Sequence, residues 1–224
     1  MYSYTLPSGI DAEIREMTGV EEDLLTNERL MRDGSAVNRV LKNCLTRLGE
    51  NQEPSMQEVM DLLAGDRLFL LVRLRQVSLG EEVELSLKCP NRACLAENPV
   101  TVRLDELAVT PYGGEREFTF QLPRSGQTIR FGLLDGHKEK RMTALKEPDI
   151  SALMLMRILD VGGNPPSKKW IRELPLKDRS ALREEMRKRD GGIETAVLVD
   201  CSSCGATIQT RMETEADFLF PGTG

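Results

Sequence analysis

Residues 55–89 read "SMQEVMDLLAGDRLFLLVRLRQVSLGEEVELSLKC", and residues 167–201 read "SKKWIRELPLKDRSALREEMRKRDGGIETAVLVDC". At a constant offset of 112 the two segments align without a gap and are identical at nine positions. The identical pairs are Ser55/Ser167, Leu62/Leu174, Asp66/Asp178, Arg67/Arg179, Leu70/Leu182, Arg75/Arg187, Gly80/Gly192, Glu82/Glu194 and Cys89/Cys201. Such internal similarity indicates one supersecondary unit that occurs twice in the chain.

The similarity continues upstream with small insertions. Residues 4–22 read "YTLPSGIDAEIREMTGVEE" and residues 120–140 read "FQLPRSGQTIRFGLLDGHKEK". Both contain Leu-Pro, a glycine, Ile-Arg, and Thr-Gly or Asp-Gly before a charged helix start. Between the copies, residues 108–117 ("AVTPYGGERE") contain a proline and two glycines, which are typical of a linker. We therefore expect repeats at residues 1–107 and 118–224, joined by the linker 108–117.

Each copy predicts the same order of elements. In the first copy, alternating residues around a Pro-Ser-Gly turn indicate an opening β-hairpin. Thr18, with Glu21 three residues later, has the spacing of a helix capping box, and Asp135 occupies the same place in the second copy. An apolar helix is predicted within "VNRVLKNCLTRLGEN" (37–51) and within "LMLMRILDVGGN" (153–164).

A second helix and a second hairpin complete each copy. Asp66 and Asp178 lie at the start of that helix, where a carboxylate meets free N–H groups and the positive end of the dipole. Alternating strands follow, each ending at a cysteine pair, and a return strand comes after the pair. The predicted class is α+β: a duplicated β-hairpin/helices/β-hairpin unit whose two pseudo-symmetric halves join at a zinc site.

Four of the five cysteines form two close pairs, each predicted at the tip of a hairpin. Cys89 and Cys94 have the spacing Cys-x₄-Cys, and Cys201 and Cys204 have the spacing Cys-x-x-Cys. A tight turn lets two sulfurs converge, and four thiolates complete the tetrahedral shell of a structural zinc ion. We expect Cys89, Cys94, Cys201 and Cys204 to bind one Zn²⁺ between the halves. The fifth, Cys44, lies in an apolar helix and is expected in the core.

Other roles for the cysteine pairs remain open at this stage. They could form two local disulfides, although disulfides are rare in cytosolic proteins. Cys201 and Cys204 could form a redox pair, although no thioredoxin-like βαβ pattern precedes them. The site could also have lost its metal and kept four buried thiols.

Composition and charge restrict the classes of function. The net charge is −6 and the pI is about 5.1, which argues against broad electrostatic binding of nucleic acid. No apolar run approaches the roughly 20 residues that span a bilayer, and "MYSYTLPSG" has no secretory pattern. We therefore expect a protein that begins in the host cytoplasm and does not insert into a membrane.

The sequence shows no recognisable catalytic motif. Four cysteine ligands leave no open position on a zinc ion, whereas a catalytic zinc keeps one. The single histidine, His137, stands in a charged helix start and is expected to be exposed. The sequence contains no Gly-rich phosphate loop, no Gly-x-Ser-x-Gly and no His-Glu-x-x-His. The expectation is a protein that is not an enzyme and takes no small-molecule substrate.

The strings "LPSGIDAEIREMTGVEEDLL" and "AGDRLFLLVRLRQVSLGEEVELSLKCPNRAC" resemble the baseplate-protein family of contractile-tailed phages, the T-even-like hub group, with relatives in contractile injection systems. The resemblance covers residues 4–107 best, and the second half is similar to a diverged copy. It implies a structural or assembly component of a tail baseplate or hub. The implied partners are other tail and baseplate proteins, and the implied location is the virion.

Two alternatives are retained. A tail assembly chaperone that binds the tape-measure protein often begins with a similar strand, turn and "LRE-x-T-G" pattern. A zinc-ribbon adaptor for nucleic acid or a polymerase belongs to a different class. The adaptor would need basic and aromatic residues beside the cysteines, but the flanks are near neutral and lack an aromatic ring.

Overall fold

The computed structural model describes residues 1–145, 149–212 and 216–219 of the chain. It is an α+β fold, as predicted, with helices and strands distributed along both halves. The helices are α1 (Gly19–Leu25), α2 (Glu28–Arg32), α3 (Ser35–Cys44), α4 (Met56–Asp61), α5 (Ala64–Leu79), α6 (Gly136–Thr143), α7 (Ile150–Leu155), α8 (Lys168–Glu173), α9 (Leu176–Arg189) and α10 (Ala216–Leu219). The strands are β1 (Tyr2–Thr5), β2 (Asp11–Ile14), β3 (Leu45–Leu48), β4 (Glu82–Lys88), β5 (Glu97–Arg103), β6 (Val109–Thr110), β7 (Glu117–Gln121), β8 (Thr128–Gly132), β9 (Ile158–Val161), β10 (Gly192–Ile193), β11 (Ala196–Asp200) and β12 (Thr207–Arg211).

Each half opens with a three-stranded antiparallel sheet, in the order β1-β2-β3 in the first half and β7-β8-β9 in the second. The predicted hairpins are the first two strands of these sheets. The third strand of each sheet, β3 or β9, lies in a segment that the sequence predicted as part of a helix. Within 37–51 and 153–164 the helices end at Cys44 and Leu155, and the chain then enters β3 and β9. Pairing with β2 or β8 gives the backbone of these segments hydrogen-bond partners.

The predicted caps of α1 and α6 are confirmed. Thr18 forms a capping box with Glu21, and the Asp135 carboxylate accepts from the Lys138 N–H at the start of α6. Asp66 and Asp178 lie in the first turns of α5 and α9, but their carboxylates bind elsewhere. The Asp66 Oδ1 accepts from the Ser8 N–H at 2.9 Å. The carboxylate of Asp178 accepts from the N–H groups of Arg124 and Ser125 at 2.7 and 3.0 Å, so each aspartate fixes the turn of the opening hairpin.

The second hairpin of each half is a two-stranded ribbon. In the first ribbon β4 pairs with β5 from Glu82 opposite Arg103 to Lys88 opposite Glu97. In the second, β11 pairs with β12. The inward faces of the two ribbons share one apolar cluster with α3 and α5, and the members contributed by the second half are Ile193, Val197, Met212, Phe218 and Leu219. The ribbons of the two halves therefore belong to a common core.

The halves also meet at the start of α5. The Ala64 N–H donates to the Leu134 carbonyl at 2.9 Å, and the Arg67 guanidinium binds Glu139 at 2.6 Å. The linker segment 108–117 contributes β6, which pairs with β10 of the second half. Phe218 of the C-terminal segment is buried against the protein itself, whereas Phe220 lies outside the described residues. No described helix is long and apolar enough to cross a membrane.

Candidate metal centre

The two cysteine pairs lie at the tips of the ribbons. The 89–96 turn joins β4 to β5, and the 201–206 turn joins β11 to β12. Each turn is closed by the same backbone hydrogen bond, from Cys89 N–H to the Ala96 carbonyl and from Cys201 N–H to the Ala206 carbonyl, both at 2.9 Å. The tips of the two ribbons meet in a small buried cluster that contains Cys89, Cys201 and Ile208.

The four sulfur atoms form one compact cluster. All four Sγ atoms lie within 4.8 Å of one another. Two short approaches cross between the halves, at 3.6 Å for Cys89 and Cys204 and 3.8 Å for Cys94 and Cys201. A tetrahedron with metal–sulfur distances of about 2.3 Å has sulfur–sulfur edges of about 3.8 Å. The cluster therefore has the size of a four-thiolate shell and could hold a metal ion.

The same distances bear on the disulfide alternative. A disulfide needs sulfur atoms about 2.05 Å apart, and all five cysteines are free thiols in the structure. Cys89 and Cys201 are buried, Cys94 is partly buried and Cys204 is exposed. Cys44 is fully buried in the apolar core, as predicted, where burial raises the pKa of its thiol to about 12.

Asn98, which the sequence interpretation did not single out, connects the two cysteine turns. It lies on β5 of the first half and is 4 % exposed. Its amide nitrogen lies 3.6 Å from the Cys201 Sγ, and its Oδ1 accepts hydrogen bonds from the N–H and hydroxyl of Ser202 at 2.9 and 3.1 Å. A donor to a ligating sulfur orients it and offsets its charge. The sequence signal that could have singled it out is an amide among the inward-facing positions of β5, which are otherwise the apolar Val100 and Val102.

The charge state of the cluster depends on whether a cation is bound. Burial raises the pKa of the Cys89 thiol to about 12. By contrast, the backbone N–H groups of Ser203 and Cys204 lower the pKa of the Cys201 thiol to about 6. Without a cation, the sulfurs cannot all carry negative charge at such short distances, because like charges raise one another's pKa. A divalent metal removes this conflict, since it coordinates the deprotonated thiols.

His137 lies far along the chain from the cysteines and makes a different contact. Its side chain is 43 % exposed, and Nε2 lies 3.1 Å from both Asp61 Oδ1 and Gln57 Nε2. These partners belong to the first half, whereas His137 belongs to the second. The histidine therefore takes part in the contact between the halves.

The comparisons with known proteins give one family. No curated protein and no solved structure matches the chain. Residues 1–219 match the family described as T4 bacteriophage base plate protein. The match includes both sheets, both ribbons and all four clustered cysteines. The chain therefore belongs to the T4 bacteriophage base plate protein family.

Proposed function

We propose that this protein is a structural or assembly component of the baseplate or hub of a contractile phage tail, made in the host cytoplasm and incorporated into the virion. The observation that carries this proposal is the family match across residues 1–219. Membership of a baseplate family suggests a structural role and interaction with other phage proteins. We propose further that the protein catalyses no reaction.

We also propose that the fold is an internal duplication, with repeats 1–107 and 118–224 and a linker at 108–117. Equivalent contacts in the two halves support it. The Arg67 Nη1 donates to the carbonyl of Val59, eight residues earlier, and the Arg179 Nη1 donates to that of Ile171, also eight earlier. The β2/β3 and β8/β9 registers shift at matching places, at Glu13/Ile14 and at Arg130/Phe131. An isolated bridge follows β3 and β9 in each half, Leu48 with Asn51 and Val161 with Asn164.

The proposed cofactor is one structural zinc ion bound by Cys89, Cys94, Cys201 and Cys204. Four thiolates in a tetrahedron are typical of structural zinc sites, and such a shell is closed to substrate. Two ligands come from each proposed repeat, so the ion would join the halves at the ribbon tips. The zinc would therefore act as a cross-link between distant parts of the chain, which stabilises the folded state.

Particle composition tests the proposed role. Purified virions and tail assembly intermediates would be analysed by quantitative mass spectrometry. We expect the protein in mature particles, at a copy number that matches the symmetry of the baseplate. A protein found with assembly intermediates and the tape-measure protein, but missing from mature particles, would instead identify a tail assembly chaperone.

Metal analysis tests the site separately. We expect about one zinc per chain by elemental analysis of protein purified without added metal, as four thiolates bind one ion. A full-length, folded protein that contains no zinc and does not take it up would contradict the proposed cofactor.

A further inference from the structure

The contact between the two halves uses two distinct faces. The first half contributes the α4–α5 corner, where Ala64 N–H donates to the Leu134 carbonyl and Arg67 binds Glu139. The second half contributes the start of α6. Gly136 lies beneath Arg67, and a Cβ at this position would lie 2.9 Å from the Arg67 Nη1 and from the Met60 carbonyl oxygen. Glycine is therefore needed at 136 for close approach of the two faces.

Each half also contains the equivalent of the face that the other half contributes to this contact. No described part of the chain is docked on either of these equivalent faces. The equivalent of α6 is α1, and the equivalents of Gly136, His137 and Glu139 are Gly19, Val20 and Glu22. No described atom lies within 4 Å of a Cβ placed at Gly19, Val20 is 60 % exposed, and the Glu22 side chain is exposed. The start of α1 thus has the close-approach glycine and the acid of the docked face, but no described part of the chain is docked on it.

The equivalent of the α4–α5 corner is the α8–α9 corner. Leu176 and Arg179 take the places of Ala64 and Arg67. Leu176 is 82 % exposed. Arg179 uses Nη1 for Ser151 and Ile171, and within the described residues its Nε and Nη2 have no hydrogen-bond partner. In Arg67 the Nε is the atom that binds Glu139.

Local backbone chemistry allows the same contact at the α8–α9 corner. The observed contact uses the Ala64 N–H and the Leu62 carbonyl, which accepts from the Gly136 N–H at 3.3 Å. This contact does not involve the N–H of Leu63. The residue equivalent to Leu63 in the second half is Pro175, and its lack of a backbone N–H therefore does not prevent the same contact. Pro175 and Leu63 also have similar extended backbones, with ψ of 140° and 148°.

The charges of the two halves are also complementary. Residues 1–107 contain 12 Lys and Arg against 19 Asp and Glu, a net of −7, whereas residues 118–224 contain 17 against 15, a net of +2. Attraction between unlike halves favours a head-to-tail contact, in which the first half of one molecule meets the second half of another.

We propose that a second copy of this chain docks its α1 start (Gly19, Val20, Glu22) onto the α8–α9 corner (Leu176, Arg179) of the first, repeating the contact made within the chain. This inference rests on the duplication in the proposed function. The Arg179 Nε would bind Glu22 of the neighbouring copy as Arg67 binds Glu139. Because the two faces differ, the contact is heterologous, and repeated contacts of this type form a ring if the rotation closes.

The test uses two variants of the full-length, zinc-loaded protein, each blocking one face. Glu22→Arg places a like charge opposite Arg179, and Leu176→Asp places a charge in the apolar contact. Their matched controls are Glu28→Arg on exposed α2 and Leu198→Asp on β11, where Leu198 is 68 % exposed. Light scattering after gel filtration measures the mass across a concentration series.

We expect the parent protein and both controls to exceed the 25.1 kDa chain mass as concentration rises, and each blocking variant alone to remain at that mass. We expect self-association to weaken at least about tenfold in each variant, because like charges oppose docking. An equimolar mixture of Glu22→Arg and Leu176→Asp should form a dimer, since each variant keeps the face that the other lacks.

A parent that stays at 25.1 kDa at every concentration would overturn the proposal, as would a mixture that never forms a dimer. Equal association of the blocking and control variants would overturn it as well. Zinc content and particle incorporation are measured in the same preparations. If these remain intact while self-association is absent, only the docking proposal fails. If the parent lacks zinc and is missing from particles, the proposed function itself fails.

Discussion

At the residue scale, the sequence singled out the four cysteines that cluster in the structure but not the residue that connects them. Two close pairs on hairpin tips are a recognisable zinc-ligand pattern. Asn98 could not be assigned in this way, because its partner Ser202 lies 104 residues away. A contact at that separation depends on how the two ribbons pack, which no local pattern encodes.

The cysteines give the first prediction. We expect Cys89→Ser and Cys201→Ser each to lose zinc and to lower the free energy of unfolding by several kcal/mol, because metal coordination energy contributes directly to folding. Elemental analysis and urea unfolding would measure the two effects. Cys44→Ala is the control, since Cys44 is buried in the apolar core and should leave the zinc content unchanged. Retention of zinc in either serine variant would contradict the assignment.

The buried aspartates Asp66 and Asp178 occupy equivalent positions but differ in their hydrogen bonds. Burial raises the pKa of both carboxyl groups. In Asp178 the N–H groups of Arg124 and Ser125 bind one oxygen each, and the net effect lowers the pKa below its ordinary value of 3.8. In Asp66 the Oδ1 is bound by Ser8, whereas Oδ2 has no partner among the described residues, so burial dominates and the pKa is raised above 3.8.

The second prediction is an opposite pH dependence for two equivalent substitutions. A lowered folded-state pKa contributes stability above the ordinary value of 3.8, and this contribution is lost as the pH falls. Asp178→Asn should therefore be more destabilising at about pH 7 than at about pH 3. A raised pKa has the reverse sign, since ionisation above pH 3.8 costs stability. Asp66→Asn should therefore be less destabilising at about pH 7 than at about pH 3.

Urea unfolding of both variants and the parent between about pH 3 and about pH 7 would measure these differences. Loss of metal at low pH affects all three proteins, so each variant is compared with the parent at the same pH. Parallel pH profiles for the two asparagine variants would contradict the prediction.

At the element scale, the sequence predicted both hairpins, the caps of α1 and α6 and the ribbon strands, but it missed β3 and β9. Each of these strands has only four residues; β3 follows α3 directly, and β9 follows α7 after two residues. Periodicity cannot separate so short an apolar segment from the end of a helix. What makes it a strand is the neighbouring strand β2 or β8, which is a tertiary contact.

The third prediction concerns the packing of α5 against β10. A Cβ at Gly65 would lie 2.2 Å from the Gly191 carbonyl oxygen and 2.6 Å from the Tyr112 hydroxyl. Gly65→Ala should therefore destabilise the protein by about 1–3 kcal/mol, because overpacking displaces the backbone. We expect this loss of stability even though the helix propensity of alanine is more favourable than that of glycine by up to about 1 kcal/mol. Thermal or urea unfolding would measure the change.

Gly113→Ala is the matched control for Gly65→Ala. Gly113 lies in the linker, has no described atom within 4 Å of a Cβ placed there, and does not have a positive φ. Its substitution should change stability by less than about 0.5 kcal/mol. Equal effects of the two substitutions would show that the α5 and β10 contact does not restrict position 65.

At the scale of the whole molecule, the repeat in the sequence indicated two similar halves but not how they meet. The Gly65 contact with Gly191 has no counterpart at Lys177, whose Cβ would not fit so close an approach. Arg67 reaches Glu139 in the other half, whereas the described partners of Arg179 lie within its own half. Sequence similarity reports shared local structure, whereas the asymmetric contact depends on positions at which the two halves differ, such as Gly65 and Lys177.

The fourth prediction follows from placing the proposed zinc ion at the tips of the two ribbons. Chelation should lower the melting temperature by about 10 °C, because a loss of several kcal/mol shifts the midpoint of a chain of this size by about 2–4 °C per kcal/mol. Hydrogen exchange should accelerate in β4, β5, β11 and β12, since the metal cross-links these strands. Exchange in the sheets β1-β2-β3 and β7-β8-β9 should change least, because the separate caps and aspartate contacts hold their turns.

Chelator added to Cys89→Ser should have no further effect. An unchanged melting temperature for the chelated parent would mean that the apolar contact between the ribbons holds the halves together without metal.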